Sequence, residues 1–495
     1  MRVTNSMMRN NSMMNMQKNK NVYNKYLTEY STQKKIQRPS DDPTIAVRAL
    51  KYRTTLSEIS QYLKNIDDAT SWMDQTETSL KDVSGVLTTM QDYYTQAATG
   101  TYGASDREKI ITQLKEYQKY IFEQDANADY SGRYLFTGYR TDLSLLFDKD
   151  QEDTTYTITE SLEVENIKNY QYVYGGATYD AAKTAEDYAN EASQFNTAHR
   201  IMVSYDNCDD KVPTITYKDN TGTERTITPT IKKVADDSVY NEHMKPGDNE
   251  VFFVPETGEV IFGDTIYDSV RNGAELTVQY QKTSFKDKEI RPEHYFNCVA
   301  VNNETGDAVT YRNPENQTMN YQINFSQSLA VNTLSCNAVD TSIRRKIDEI
   351  SDICNDIDVM EQNLKGVEKR IDDCPADDEE TMANLTELKK QIETQLTLQK
   401  TVLTNQLSSG ITTCQNAQSK LNVALASHGS RYNRMTMTKS KLEDQKLATE
   451  DAKSENEDAD LGEAYVNFSE ADLLYQATLG ATNKILGQSL LNFIQ

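Results

Sequence analysis

Residues 56–97 read LSEISQYLKNIDDATSWMDQTETSLKDVSGVLTTMQDYYTQA, and one periodicity runs through all of them. Ile59, Ile66, Met73, Leu80, Leu87 and Tyr94 recur every seven residues. Tyr62, Ala69, Thr76, Val83, Met90 and Ala97 follow each of them by three. Heptads sustained this far predict one long helix packed along a straight seam, with Ile59, Ile66, Met73, Leu80 and Leu87 as the bundle core.

Downstream of this seam, Gly100 and Gly103 predict a stop. Ser105-Asp106-Arg107-Glu108 has the S-x-x-E spacing of a capping box, which predicts the start of a returning helix with Ile110, Ile111, Leu114, Tyr117, Ile121 and Phe122 on its stripe. That helix leads to Tyr134-Leu135-Phe136-Thr137-Gly138-Tyr139. Upstream lie a turn-like Arg38-Pro39-Ser40-Asp41-Asp42-Pro43 and a polar, Met-rich arm. Partner helices are predicted in residues 341–455. Ile343, Ile350, Ile353, Ile357, Met360, Leu364, Val367 and Ile371 form one stripe, broken at Cys374-Pro375. Met382, Leu385, Leu388, Ile392, Leu396, Leu403 and Leu407 begin a second that continues to Leu442, with Gly410 as a point of interruption. Two antiparallel helices joined near Pro375 follow, the second very long. A last helix runs from Glu457-Asp458-Ala459-Asp460-Leu461 to Phe493-Ile494.

Residues 141–340 change chemistry. Val212–Tyr217 and Thr226–Thr228 flank Asp219-Asn220-Thr221-Gly222, and Val251–Val254 and Val260–Phe262 flank Pro255-Glu256-Thr257-Gly258. β-branched and aromatic residues around a Gly-containing turn predict hairpins. Leu276–Tyr280 and Met319–Phe325 read as further strands. The fold class is therefore α+β: a long helical coiled-coil bundle built from both chain ends, with a β-rich central insertion.

Composition narrows function. Fifty-two basic against seventy-six acidic residues give a net charge of −24, which argues against nucleic acid and for salt-sensitive self-association. No apolar run approaches the ~20 residues of a membrane span, and Met1–Ser6 lacks the apolar core of a signal peptide. Cys208, Cys298, Cys336, Cys354, Cys374 and Cys414 have no metal-like spacing and read as free thiols. His199, His243, His294 and His428 lie far apart, which speaks against zinc. Ser31-Thr32-Gln33-Lys34 has no partner motif for an S-x-x-K nucleophile. The stretch from Asp125 has Tyr130 and Phe136 where a calcium loop needs Gly and Glu, and Asp206–Asp210 reads as an acidic loop. No catalytic set, cofactor site or metal site is predicted.

Four segments then carry a resemblance: Met1-Arg2-Val3-Thr4-Asn5-Ser6-Met7-Met8; Arg38-Pro39-Ser40-Asp41-Asp42-Pro43; Tyr134–Tyr139; and Asp458-Ala459-Asp460 with Ile485-Leu486-Gly487-Gln488-Ser489-Leu490-Leu491-Asn492-Phe493-Ile494. Together they closely resemble the bacterial flagellar hook-associated protein 3 family, relatives of flagellin, over about 140 residues at one end and some 80 at the other. The resemblance implies a structural, non-enzymatic part of the hook–filament junction, a homo-oligomeric ring touching a neighbouring hook-associated protein and flagellin. It also implies an export chaperone, the type III export apparatus, and an extracellular place on the flagellum without a cleaved signal peptide. The alternatives are a flagellin or minor filament subunit, or a secreted coiled-coil adhesin. The implied assembly interface comprises Val3, Met7 and Met14 with Phe468, Tyr475, Leu479, Leu486, Leu490 and Phe493. The organisation expected is 1–43 with 456–495 as a terminal domain, disordered in the monomer; 44–140 with 341–455 as a helical bundle including a hairpin at 343–407; and 141–340 as a surface-exposed insertion.

Overall fold

Pro43 at the first helical position and Asp42 before it fix where the long seam helix begins. The Asp42 carboxylate accepts from the backbone N–H of Thr44 at 2.9 Å and of Ile45 at 3.2 Å, satisfying donors that the first turn leaves open. In the computed structural model, residues 5–99, 103–218, 222–233, 246–273, 275–312, 317–375 and 378–494 are described. Six main helices follow in order: α1 (Asn5–Thr32), α2 (Pro43–Thr99), α3 (Ala104–Lys119), α4 (Ser342–Asp372), α5 (Glu379–Glu457) and α6 (Leu461–Ile494). By internal contacts the chain forms two units, one of residues 1–69, 321–329 and 433–495, the other of 70–320 and 330–432.

In the second unit α2 packs antiparallel to α5. Met73, Leu80, Leu87 and Tyr94 are all buried, as are Thr76, Val83, Met90 and Ala97 between them. Gln418 donates to the Ser84 hydroxyl at 2.8 Å. Gly410 does not interrupt α5, so the very long second helix expected from the sequence runs unbroken. A Cβ there would sit 2.7 Å from the Tyr94 ring, so the glycine lets the ring lie on the helix backbone and the seam stays closed. In the first unit Ile59 and Ile66 of the same heptad series are buried.

The predicted capping box is also corrected. α3 begins at Ala104, with Gly103 in the N-cap position and no side-chain cap. The Gly103 carbonyl itself accepts from Asp106 and Arg107 N–H, both at 3.1 Å. Arg107 is buried and committed elsewhere, donating to Asp358 at 2.7 Å and Glu361 at 2.9 Å on α4. After α3 comes a six-residue π-helical turn, Tyr120–Asp125.

The middle of the chain supplies the strands. β1 (Asp129–Tyr130) and β2 (Arg133–Tyr134) form a small hairpin; then come β3 (Thr154–Leu162), β4 (Lys168–Tyr174), β5 (Gln194–Met202), β6 (Thr214–Lys218), β7 (Glu224–Ile227), β8 (Thr230–Ile231), β9 (Val251–Val254), β10 (Glu259–Phe262), β11 (Leu276–Lys282), β12 (Asn297–Asn302) and β13 (Ala308–Tyr311). One sheet has the order β13-β12-β3-β11-β6-β7, and the other β4-β5-β10-β9-β8 with only β8–β9 parallel. The expected hairpins are β6–β7 and β9–β10, and Gly222 and Gly258 in their turns adopt φ +78° and +65°. A shared core of Ile158, Val203, Val260, Phe262, Leu276, Val278 and Phe285 joins the two sheets. Arg200 on β5 ties them to α4, forming ion pairs with Glu259 and Glu349 and lying 3.6 Å over the Tyr170 ring. The far end of the α4–α5 hairpin is covered by Ala177 and Tyr188, packed on Val367, Leu385, Leu388 and Ile392. The last strands, β14 (Asn320–Asn324) and β15 (Gln327–Ala330), make a separate hairpin.

Candidate functional site: the paired chain ends

The first unit holds both chain ends, and they meet as a pair. α1 and α6 run antiparallel: Asn19 donates to the Thr478 hydroxyl at 2.6 Å, and Tyr23, near the middle of α1, stacks on Tyr475 with centroids 5.4 Å apart. Tyr23 also meets Phe468 at 5.6 Å, and Tyr30 stacks on Phe468 at 5.7 Å. Aromatic pairs at these distances add about 0.5–1.5 kcal/mol each beyond area burial. The α6 stripe facing α1 is Ala464, Phe468, Ala471, Tyr475 and Thr478, at the three- and four-residue steps of one helix face.

Where the two helices begin and end, a clasp holds them. Gln33 takes a left-handed conformation, φ +57°, ending α1. Lys35 N–H then donates to the Glu457 carbonyl at 2.8 Å, and Ala459 N–H to the Gln33 carbonyl at 2.9 Å. Glu457 is 3% exposed. It accepts two bonds from the Arg53 guanidinium, at 3.1 and 2.9 Å, the fork geometry that gives arginine its preference for carboxylates. Lys34 pairs with Asp458 and lies 3.8 Å from Glu457. That lysine, then the Ser454 hydroxyl at 2.7 Å, holds the Asp458 carboxyl below its ordinary range. Asp460 restarts the helix by accepting from Gly462 and Glu463 N–H at 2.7 and 3.2 Å. On the other side, the turn before α2 is closed by Asp41, which accepts from Gln37 and Arg38 N–H at 3.0 and 2.8 Å. The backbone donors of Arg38 and Gln37 lower its pKa.

Large apolar side chains stay exposed on both helices. Met7 is 62% exposed, with Met8, Met13, Met14, Val22 and Leu27 also exposed on α1. On α6, Leu473 is 70% exposed, with Leu461, Tyr465, Val466, Leu474 and Leu479 also open. Exposed apolar side chains in such number on one helix pair are what an interaction site presents. Of the residues singled out from sequence, Met7, Met14 and Leu479 are among these exposed side chains, whereas Phe468 and Tyr475 face α1. Val3 and the side chains of Leu486, Leu490 and Phe493 lie outside the described residues. Sequence reading passed over Leu473, Leu474, Tyr465 and Val466; a helical wheel of α6 would have found Leu473 and Val466 opposite Phe468 and Ala471, whereas Tyr465 meets Tyr30 of α1 with ring centroids 5.8 Å apart.

Among the described residues, no group of three or more His, Cys, Asp or Glu is placed to hold a metal ion, and no helix is long and apolar enough to cross a membrane. The six cysteines are free thiols. Burial pushes Cys208, Cys298, Cys354 and Cys414 up to about 12.

Comparison with known proteins meets the same two ends. Residues 3–141 match the bacterial flagellin N-terminal helical region, and residues 411–494 the bacterial flagellin C-terminal helical region. Over 142 residues the chain is 29% identical to flagellar hook-associated protein 3 of Salmonella typhimurium, covering 29% of this chain and 45% of that protein. Over 112 residues it is 24% identical to the flagellar filament 30.7 kDa core protein of Treponema maltophilum, covering 23% and 39%. The chain thus spans less than half the length of these relatives. A solved structure titled as a putative flagellar hook-associated protein from Vibrio parahaemolyticus is similar at 13% identity and TM-score 0.38, covering 84% of this chain and all of that one.

Proposed function

We propose that this chain, flagellin-like at both ends, is a structural subunit of the bacterial flagellum: the hook-associated protein 3 that forms the hook–filament junction on which flagellin assembles. The observation that carries this reading is the antiparallel pairing of the two flagellin-type terminal helices with apolar side chains left exposed on both. Within the described residues of one subunit Met14, Leu473, Leu474 and Leu479 stay open to solvent. Copies stacked side by side in a ring would cover them, and each such side chain contributes about 1.5–3 kcal/mol when fully buried.

On this reading the terminal residues 1–43 and 456–495 form the inner layer, and assembly covers the side chains they leave open. Residues 44–140 and 341–455 form the next shell, and 141–340 face solvent. The partners are further copies of the chain, a neighbouring hook-associated protein, flagellin, and, before assembly, an export chaperone and the type III apparatus. Its place is extracellular, on the flagellum. The role is mechanical, not enzymatic. The matches to filament proteins favour one other reading, a flagellin or minor filament subunit.

A strain lacking the gene tests the proposal. It should bear hooks without filaments and release unpolymerised flagellin, and a gene truncated after residue 460 should fail to restore filaments while its product stays soluble. Full-length filaments in the null strain would exclude the junction role.

A further inference from the structure

Charge is divided unevenly over this chain. The first unit, of residues 1–69, 321–329 and 433–495, holds eighteen basic and seventeen acidic residues, so the acidic excess behind the net charge of −24 lies entirely in the second. Copies of the chain therefore meet with least repulsion through their first units. Within that unit the charges are sorted by helix. α1 carries Arg9, Lys18, Lys20 and Lys25 against Glu29, whereas α6 carries Glu463, Glu470 and Asp472 against Lys484. Among the described residues Lys18, Lys25 and Glu470 form no ion pair.

Both helices also turn a matched stripe away from their own pairing. On α1, Asn19, Tyr23 and Tyr30 face α6. Met14, Lys18, Asn21 and Lys25, at steps of four, three and four residues, share the opposite face and are all exposed. On α6, Val466, Glu470, Leu473 and Ala477 repeat those steps opposite Phe468 and Ala471, and all are exposed. A turn of about 100° per residue puts each set on one line. The internal pairing sets heights as well. With Tyr23 stacked on Tyr475 and Tyr30 on Phe468, Asn21 is level with Ala477 and Lys25 with Leu473, within one helical turn of Glu470.

We infer that a second copy of this chain takes this face: the α1 stripe of one copy packs on the α6 stripe of the next, pairing Lys25 with the neighbour's Glu470 and laying the lysine stem over the neighbour's Leu473. The inference rests on the junction reading and names the contact that builds its ring. Charge selects this pairing over the symmetric ones. Two α1 stripes face to face would set Lys18 and Lys25 against copies of themselves, and two α6 stripes would set Glu470 against Glu470. Basic stripe on acidic stripe is instead a head-to-tail contact, which repeats from copy to copy and closes a ring where the rotation permits.

The test uses the full-length protein. Sedimentation velocity should show self-association about tenfold weaker for Lys25→Glu and for Glu470→Lys, and restored when both changes are combined in one chain. Melting temperatures should stay at the parent value, because both side chains are exposed and unpaired in the single copy. A carbodiimide, which joins a touching amine and carboxylate as an amide, should link Lys25 to Glu470 between copies, recognised by mass spectrometry in a mixture of unlabelled and nitrogen-15-labelled protein. Single reversals that leave association unchanged, a double reversal no better than either single, or the absence of a Lys25–Glu470 link between copies overturns the contact. Labelling on isolated flagella reads the junction assignment without these variants, so each can fail while the other stands.

Discussion

Replacing His428 with leucine should stabilise the protein and remove an acid-sensitive weakness from its seam. His428 sits on α5 at the seven-residue spacing of Leu421, Met435 and Leu442, each of them fully or almost fully buried. Its ring is 0% exposed; the Met73 carbonyl is in reach of one ring nitrogen, and the other is left without a partner. A buried polar group without a partner costs about 1–3 kcal/mol, and a leucine of similar size at a heptad core position contributes about 1.5–3 kcal/mol by burial. After allowance for imperfect fit, His428→Leu should gain about 2 kcal/mol.

The pH dependence has a definite sign. Burial, then the nearby Arg431 charge, lowers the His428 pKa below 6.5, against the opposing pull of Glu77, the Met73 carbonyl and Asp74. The unfolded chain therefore takes up this proton first as pH falls. The stability that neutral His428 preserves is present above pH 6.5 and is lost as pH drops through 6.5 toward the folded value. Buried Asp125, raised to about 7, works in the opposite direction, losing stability as pH rises through about 7. The informative quantity is thus the difference between variant and parent. Urea unfolding followed by circular dichroism at pH 7.5 and 5.5 should show His428→Leu more stable at both, with the larger gap at pH 5.5. An equal or less stable variant, or a gap that does not widen in acid, would refute the reasoning.

Three further outcomes follow from the packing. Leu80→Asp places a charge in a fully buried seam position and should cost more than about 4 kcal/mol; unchanged helicity and melting would show that the seam is not a core. Gly410→Ala gains helix propensity of about 1 kcal/mol but drives a methyl into the Tyr94 ring, at a typical cost of about 1–3 kcal/mol. Calorimetry should record a lower melting temperature, and a rise would mean the ring has room to move. Glu457→Gln leaves Arg53 and Lys34 without their shared carboxylate and should speed proteolysis between residues 33 and 42, whereas an unchanged cleavage rate would make the clasp incidental.

How much of this was legible in the sequence depended on whether one face decided each element. The α2 heptads were, because every seventh residue meets the same neighbour, and so were β6–β7 and β9–β10, where a glycine punctuates each turn. β3 and β5 were missed because they bury charge: Glu160 turns inward to the Ser204 hydroxyl and Tyr280, at 2.7 and 3.0 Å, and Arg200 inward to Glu259 and Glu349. Polar residues on the core face erase the alternation that announces a strand. The capping box read at Ser105 misled because the Gly103 carbonyl, not a serine hydroxyl, meets the first free N–H groups, and the break considered at Gly410 is absent because the Tyr94 ring packs onto the helix there. At the chain ends, the stripe on α6 was visible, but which half faces α1 was set by Tyr23 and Tyr30, more than four hundred residues away in sequence. The clasp joining Arg53 to Glu457 has no local signature.

If the paired chain ends build the hook–filament junction, the protein must sit between hook and filament on isolated flagella. Gold-conjugated antibody against residues 141–340 should mark one narrow band per flagellum, between hook and filament, with a small fixed number of copies. Label spread along the filament would assign the chain to the filament itself, and flagella without label would remove it from the flagellum altogether.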